Sequence, residues 1–303
     1  MQPVWGIDLG GTKIEGVILK DSRSVEVLHR LREPTEREKG YSHIINQIQL
    51  VVNRLSEASG LSPERLGIGT PGTISPRTGL MKNSNTTCLN DRPFREDVER
   101  QLGIPVKMAN DANCFAVAEA NLGAVRDHVP DAQLVFGVIL GTGVGGGLVI
   151  NGQVWNGGQG IGGEWGHTFL DESGGPCYCG DTGCTEMVIA GPALEKYYEK
   201  ISGQRLSLKE ITLRHQAQSD PHATETMERL LHFFAKGISN VINILDPDAI
   251  VLGGGVGNID LLYSEGVKRI EHFIFNKTVE TPFLKPKLGD SAGVFGAALL
   301  VAE

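Results

Sequence analysis

Three glycine turns and a cysteine cluster are the stretches of this chain whose residue types could act on phosphates or metals. Asp8-Leu9-Gly10-Gly11-Thr12-Lys13 sets a carboxylate at the end of an apolar run, with a hairpin of backbone N–H groups just beyond it. Such a turn can cradle phosphate. It is not a P-loop, because the Gly-x-x-x-x-Gly-Lys-Ser/Thr spacing and the following helix are absent, and it is not a dinucleotide fingerprint, because a strand pattern follows. Alone, it would read as an ordinary Gly-Gly hairpin. It has company: Gly141-Thr142-Gly143-Val144-Gly145-Gly146 is a second turn of the same kind, and Gly253-Gly254-Gly255 ends a third apolar run. Three such turns fit one nucleotide lying across a cleft, two on its phosphates and the third flat against its base. Cys177, Cys179 and Cys184 fall within eight residues, while Cys88 and Cys114 stand apart. In a reducing compartment the cluster favours a metal over disulfides. The two isolated cysteines read as small core residues.

The elements that must carry these turns are legible in the periodicity. Val4 to Leu9, Ile14 to Leu19 and Val25 to Arg30 read as three strands of a meander. Ile44, Ile45, Ile48, Val51, Val52 and Leu55 recur at helical spacing and predict an amphipathic helix over 41–59, its stripe against a sheet. Leu66 to Thr70 and Val106 to Ala109 read as strands, and Phe94 to Leu102 as a helix. Leu134 to Leu140, the second glycine turn and Gly146 to Ile150 repeat the opening strand-turn-strand, which suggests a duplicated unit. Asp111 to Leu122 is helical, with Asn110 or Asp111 as its cap. Further helices are expected at Pro192 to Lys200, Ala223 to Leu245, Leu261 to Phe275 and Val294 to Val301, with a strand at Ala249 to Leu252. The expected domains are 1–118 and 119–290, the second carrying the cysteine loop, with the helix of 291–303 packing back on the first.

The 303 residues carry 28 Lys+Arg and 36 Asp+Glu, so the net charge is 28 − 36 = −8. A basic nucleic-acid-binding surface is therefore not expected. Hydrophobic residues make up 40% and charged residues 21%, a composition that argues against disorder and coiled coil. No apolar run approaches the roughly 20 residues of a membrane-spanning helix, and no membrane partner is expected. The opening residues show no basic-then-apolar leader. A cytoplasmic location is the expectation. Glycine is the outlier: 40 residues of 303, nearly twice the ~7% of average usage.

In order along the chain stand Asp8 to Lys13, Asn110-Asp111-Ala112-Asn113, Leu140 to Gly147, Gly163-Glu164-Trp165-Gly166-His167, Cys177 to Glu186 and Leu252 to Gly255. This set resembles the signature of the ROK family (repressors, open reading frames and sugar kinases) from residue 4 to about residue 301. The cysteine cluster together with Glu-x-Gly-His carries most of its specificity. The resemblance implies an α/β protein with two ribonuclease-H-like domains of the actin-like ATPase and sugar kinase fold, ATP and sugar lying between them. The family's repressors place a helix-turn-helix ahead of the first glycine turn. Here seven residues precede Asp8, so the kinase branch is expected.

Carried over residue by residue, the resemblance makes Asp111 the catalytic base that takes the proton of the attacking hydroxyl. Asp8 orients hydrated Mg²⁺, and Gly10, Gly11, Thr12, Lys13, Gly141, Thr142, Gly143, Gly145, Gly254 and Gly255 complete the ATP site. A sugar needs carboxylates and amides aimed at separate hydroxyls. Gly72, Thr73, Asn85, Asn110, Asp111, Glu164, His167 and Glu186 match the family's sugar-contacting positions. His167, Cys177, Cys179 and Cys184 fill the four ligand positions of a structural, tetrahedral Zn²⁺. One nitrogen of His167 is expected to face the metal and the other a sugar hydroxyl.

Within the family, Gly72-Thr73-Ile74-Ser75-Pro76 to Asn85, Pro176 to Gly180 and Asn243 to Asp248 look most like the bacterial fructokinase and mannokinase branch. The expected activity is an ATP-dependent hexose kinase acting on the 6-hydroxyl of a sugar, D-fructose first, with N-acetylglucosamine kinase and glucokinase as alternatives. A sugar-sensing protein without a DNA-binding domain is the non-enzymatic alternative, and a nicotinamide-dependent oxidoreductase a distant one. A homodimer is expected.

Overall fold

The computed structural model describes residues 2–302. In chain order the strands are β1 Val4–Leu9, β2 Lys13–Leu19, β3 Val27–Pro34, β4 Leu66–Thr70, β5 Thr73–Ile74, β6 Met81–Lys82, β7 Val106–Asn110, β8 Leu134–Leu140, β9 Val144–Ile150, β10 Gln153–Val154, β11 Ala249–Gly253 and β12 Phe283–Leu284. The α-helices are α1 Tyr41–Ser59, α2 Phe94–Leu102, α3 Asp111–Asn121, α4 Ala124–His128, α5 Thr185–Ile189, α6 Gly191–Ser202, α7 Leu208–Gln216, α8 Pro221–Leu245, α9 Gly254–Gly257, α10 Glu265–Ile270 and α11 Ala292–Leu299. Two five-stranded sheets run β3-β2-β1-β4-β7 and β10-β9-β8-β11-β12.

Backbone contacts divide the chain into two compact units. The first holds the residues up to Gly137, Gly147–Gly163, and those from Pro286 onward; the second holds Val138–Gly146 and Glu164–Lys285. The division falls within β8 and β9. Residue 118, where a boundary was expected, lies inside α3.

In the first unit β1 pairs antiparallel with β2 in the register Gly6 to Val17 and Ile7 to Gly16, and parallel with β4. Side chains alternate between the faces of a strand, so Ile7 and Gly16 look one way, Gly6 and Val17 the other. The stripe of α1 covers the face of Gly16, with Ile44, Ile45, Ile48, Val51, Val52 and Leu55 all buried. Each such side chain contributes about 1.5–3 kcal/mol. Helix α11 covers the opposite face. There the strand glycines are spacers: a Cβ on Gly67 would stand 1.8 Å from the Ala297 carbonyl oxygen, and one on Gly6 2.4 Å from the Ala298 nitrogen. Much of the glycine excess thus brings helix backbone onto the sheet, which the reading of glycine as ligand loops alone did not anticipate.

The third segment of this unit is pinned by a buried carboxylate. Glu119 of α3 accepts from the backbone N–H groups of Ala124 at 2.8 Å, Lys287 at 3.0 Å and Leu288 at 2.8 Å.

In the second unit α8 is the central helix. Asp220 caps its first turn by accepting from the N–H groups of His222 and Ala223, and Pro221 opens it. Its apolar face buries Leu230, Leu231, Phe234 and Ile238. Two of its cations hold the approach to the cysteine loop: Arg229 donates to Ser173 Oγ and Lys236 to the Leu170 carbonyl. The expected helix from Leu261 to Phe275 is shorter, a 3₁₀ turn over Asp260–Leu262 followed by α10. Helix α7, with Leu208 and Ile211 buried, was not anticipated, since two apolar positions make too thin a stripe; its cap is Ser207, accepting from Glu210 N–H. No helix among the described residues is long and apolar enough to cross a membrane.

Candidate functional site

Asp8 ends β1 and shares a face with Glu15, its partner across the β1–β2 pair. The turn beyond it closes through Gly10 N–H donating to the Lys13 carbonyl at 2.9 Å, and Thr35 Oγ1 donates to the Gly10 carbonyl at 2.7 Å. Burial, then the nearby Asp111 and Glu15 carboxylates, push the Asp8 pKa up to about 6, with Lys13 opposing. Two desolvated carboxylates short of compensating charge form a place where a cation fits. Gly293, at the first turn of α11, lies against the same carboxylate.

Asn110 is the cap of α3, its Oδ1 accepting from Asn113 N–H at 2.8 Å, and Asp111 is the first helical residue. The Asp111 Oδ1 accepts from Ala112 N–H at 2.8 Å. Its carboxylate reaches solvent yet is closely surrounded by protein, and that desolvation raises its pKa against the pull of the backbone bonds. Gly72 has φ +113, and a Cβ there would stand 2.7 Å from the Lys82 carbonyl. Thr73 is buried, paired with Lys82 across β5 and β6, and Asn85 is exposed on the turn that follows. Asn113 was not singled out from sequence. Its amide accepts from Leu148 N–H at 3.1 Å and donates to Asn156 Oδ1 at 3.4 Å, the first of these tying α3 to β9. Its place in the Asn110-Asp111-Ala112-Asn113 motif was the signal for it in the sequence.

In the second unit the glycine turns meet. Gly254, with φ +83, sits where a Cβ would be 2.2 Å from the Leu140 carbonyl, which seats the third turn on the strand that leads into the second. Gly141 N–H donates to the Gly143 carbonyl at 2.9 Å. Val144 N–H, one residue on, donates to Glu186 Oε2 at 2.9 Å. Trp165 Nε1 donates to the Gly145 carbonyl at 2.9 Å, so the segment carrying Glu164 and His167 is built on the same turn.

The four sequence-predicted metal ligands converge. The ligand atoms of His167, Cys177, Cys179 and Cys184 lie within 4.8 Å of one another. His167 Nδ1 is 3.6 Å from Cys177 Sγ, and Cys179 Sγ is 3.6 Å from Cys184 Sγ. A tetrahedral zinc site with Zn–S near 2.3 Å sets its donor atoms roughly 3.5–3.8 Å apart. These thiols are free, not disulfide-bonded. Burial and then the two neighbouring cysteines push the Cys184 thiol up to about 12, a cost that a divalent cation removes. The donor set fits zinc. The second His167 nitrogen, Nε2, is 2.9 Å from the Tyr178 hydroxyl, a partner the sequence did not suggest.

The chain matches the ROK family over residues 4–303. It belongs to that family. Relatives similar over 98% of both chains are the N-acetyl-D-glucosamine kinases of Pasteurella multocida (36% identical) and Vibrio cholerae (34%). Among solved structures the ROK hexokinase of Thermus thermophilus superposes with a TM-score of 0.86 at 32% identity, covering 98% of this chain and 97% of that one. The ROK glucokinase of Streptomyces griseus, solved with glucose and AMPPNP, does so with 0.74 at 27%, covering 98% of each. The fold is therefore that of the actin-like sugar kinases, as the resemblance implied, and the ROK member is a phosphotransferase. The expectation of D-fructose, and with it the fructokinase branch, is corrected: relatives at 33–36% identity over nearly the whole chain are named N-acetyl-D-glucosamine kinase. The stretches that suggested fructokinase are the short β5–β6 hairpin and the turn after it, part of the cysteine loop, and the end of α8 with the turn beyond it, which report family architecture more than the hydroxyl pattern of the sugar.

Proposed function

We propose that this chain transfers the γ-phosphoryl group of ATP to the 6-hydroxyl of N-acetyl-D-glucosamine. The observation that carries this reading is the full-length similarity to kinases of that name.

The residues support the chemistry. Asp111, its pKa raised by desolvation, is matched better than an ordinary aspartate to accepting a hydroxyl proton near neutrality. The N–H groups of the Gly10 and Gly141 turns would hold phosphate oxygens without reorganising. When Mg²⁺ is bound with ATP it neutralises charge on the phosphates, and Asp8 is the carboxylate that would hold its water shell. Glu164, His167 and Glu186 would take separate sugar hydroxyls, and Thr73 and Asn85 are further sugar-contacting positions by the family pattern. His167, Cys177, Cys179 and Cys184 would hold a zinc ion with no ligand position left for substrate, so the metal would fix loop geometry and the His167 tautomer.

A broader glucose-accepting kinase is the second reading, favoured by the superposition on the Streptomyces griseus glucokinase. A coupled ADP-release assay over N-acetylglucosamine, N-acetylmannosamine, glucose and mannose separates the two. The expected result is the highest kcat/KM for N-acetylglucosamine; a preference for glucose, or no turnover of any amino sugar, overturns the proposal.

A further inference from the structure

Tyr178 stands between two metal-loop cysteines. The residue is 81% exposed, and its hydroxyl lies 2.9 Å from His167 Nε2, with the ring edge-on to the imidazole at 5.1 Å between centroids. His167 turns its Nδ1 to the thiol cluster, 3.6 Å from Cys177 Sγ. An imidazole that ligates through Nδ1 carries its proton on Nε2. Nε2–H is then a donor, and the Tyr178 oxygen accepts from it.

The phenol keeps its own O–H to donate. Accepting from a histidine N–H while keeping an O–H to donate is what a sugar hydroxyl would do at that point. The exposed ring has little packing to lose by leaving.

We propose that the Tyr178 hydroxyl is a placeholder for a substrate hydroxyl: it satisfies His167 Nε2 in the sugar-free protein and is displaced when the sugar binds. The inference rests on reading Glu164, His167 and Glu186 as sugar ligands. Tyr178 is thereby a positioning residue that keeps the imidazole oriented and sets sugar affinity, because each binding event must break its hydrogen bond.

Tyr178→Phe removes the hydroxyl and keeps the ring. With a net hydrogen bond of about 0.5–1.5 kcal/mol at stake, KM and Kd for N-acetylglucosamine should fall about 2- to 10-fold, with kcat and the KM for ATP unchanged. The wild-type protein should give a near-ultraviolet tyrosine difference spectrum on titration with the sugar, and Tyr178→Phe should lose it. A raised sugar KM in Tyr178→Phe would mean that the hydroxyl stays and touches the sugar, which overturns the placeholder. So does an unchanged KM with no tyrosine signal in the wild type. A wild-type protein that neither binds nor phosphorylates any sugar of the panel overturns the functional reading along with it, whereas wild-type turnover with a kinetically identical Tyr178→Phe overturns the placeholder alone.

Discussion

Glu186 Oε2 accepts the backbone N–H of Val144 at 2.9 Å, so the carboxylate expected to grip a sugar hydroxyl also braces the second glycine turn. A Cβ on Gly143 would stand 2.6 Å from the same oxygen. Glu186→Ala orphans that N–H, and losing a hydrogen bond to a charged group costs about 1.5–3 kcal/mol. The KM values for ATP and for sugar should both rise, by roughly tenfold or more. Glu164→Ala should raise the sugar KM alone. Steady-state kinetics with each substrate varied decides; a Glu186→Ala enzyme with unaltered ATP KM would remove the bracing role.

Asp111→Asn keeps size and one acceptor oxygen while removing the proposed base. The expected kcat is lower by about 10²–10⁴-fold, with both KM values within a few-fold. Turnover close to wild type would move the base elsewhere.

Asp8 sets a pH dependence whose sign follows from its raised pKa of about 6 against the ordinary 3.8. Between these values the folded protein holds a proton that the unfolded chain has given up. Stability from this group is therefore full below about pH 4 and lost as the pH rises through about 6. In metal-free, nucleotide-free protein, Asp8→Asn should match the wild type near pH 4 and exceed its Tm above pH 6, while losing activity. Thermal melts across pH 4–8 test this; equal Tm values at pH 7.5 would contradict it.

Zinc analysis of the purified protein should find about one ion per chain, as four protein donors require. Cys179→Ser, at the exposed corner of the cluster, should release metal, lower Tm and raise the sugar KM well above any change in the ATP KM. Full activity without zinc would refute the metal's positioning role; sugar and ATP constants rising in step would reduce the site to a staple.

Glu119→Ala leaves the backbone N–H groups of Ala124, Lys287 and Leu288 without their acceptor. With about 1–3 kcal/mol for each orphaned donor, a loss of about 3 kcal/mol or more is expected in urea unfolding. A loss under about 1 kcal/mol would mean that water or a shifted loop replaces the carboxylate.

The fold was legible where apolar spacing was long and regular: α1, α8 and the opening meander lie close to where periodicity put them. The site residues could be nominated because their types recur in an ordered family pattern, and the metal ligands converge because thiols at Cys-x-Cys spacing need only a short loop to meet. Tyr178 was passed over because an exposed aromatic between two cysteines carries no periodic signal, and its partner appears only in three dimensions. Fructose was misread because sugar choice depends on where a few hydroxyl-facing atoms point, and loop sequence does not encode that direction. The strand glycines were misread in part because a glycine under a helix and a glycine under a phosphate look alike in one dimension.

The packing of α11 on β1 and β4 has a consequence for synthesis. As the chain grows from its amino end, the first sheet emerges early with Gly6 and Gly67 turned toward a helix that does not yet exist. That face stays open to water until α11, Ala292–Leu299, has been made, and Glu119 waits nearly as long for Lys287 and Leu288. Nascent protein at that stage is a target for chaperones and for premature association, and the final closure joins partners far apart in the chain, a slow class of contact. The order of translation, more than the strength of any one contact, thus sets when the Asp8 carboxylate acquires the α11 surroundings that include Gly293.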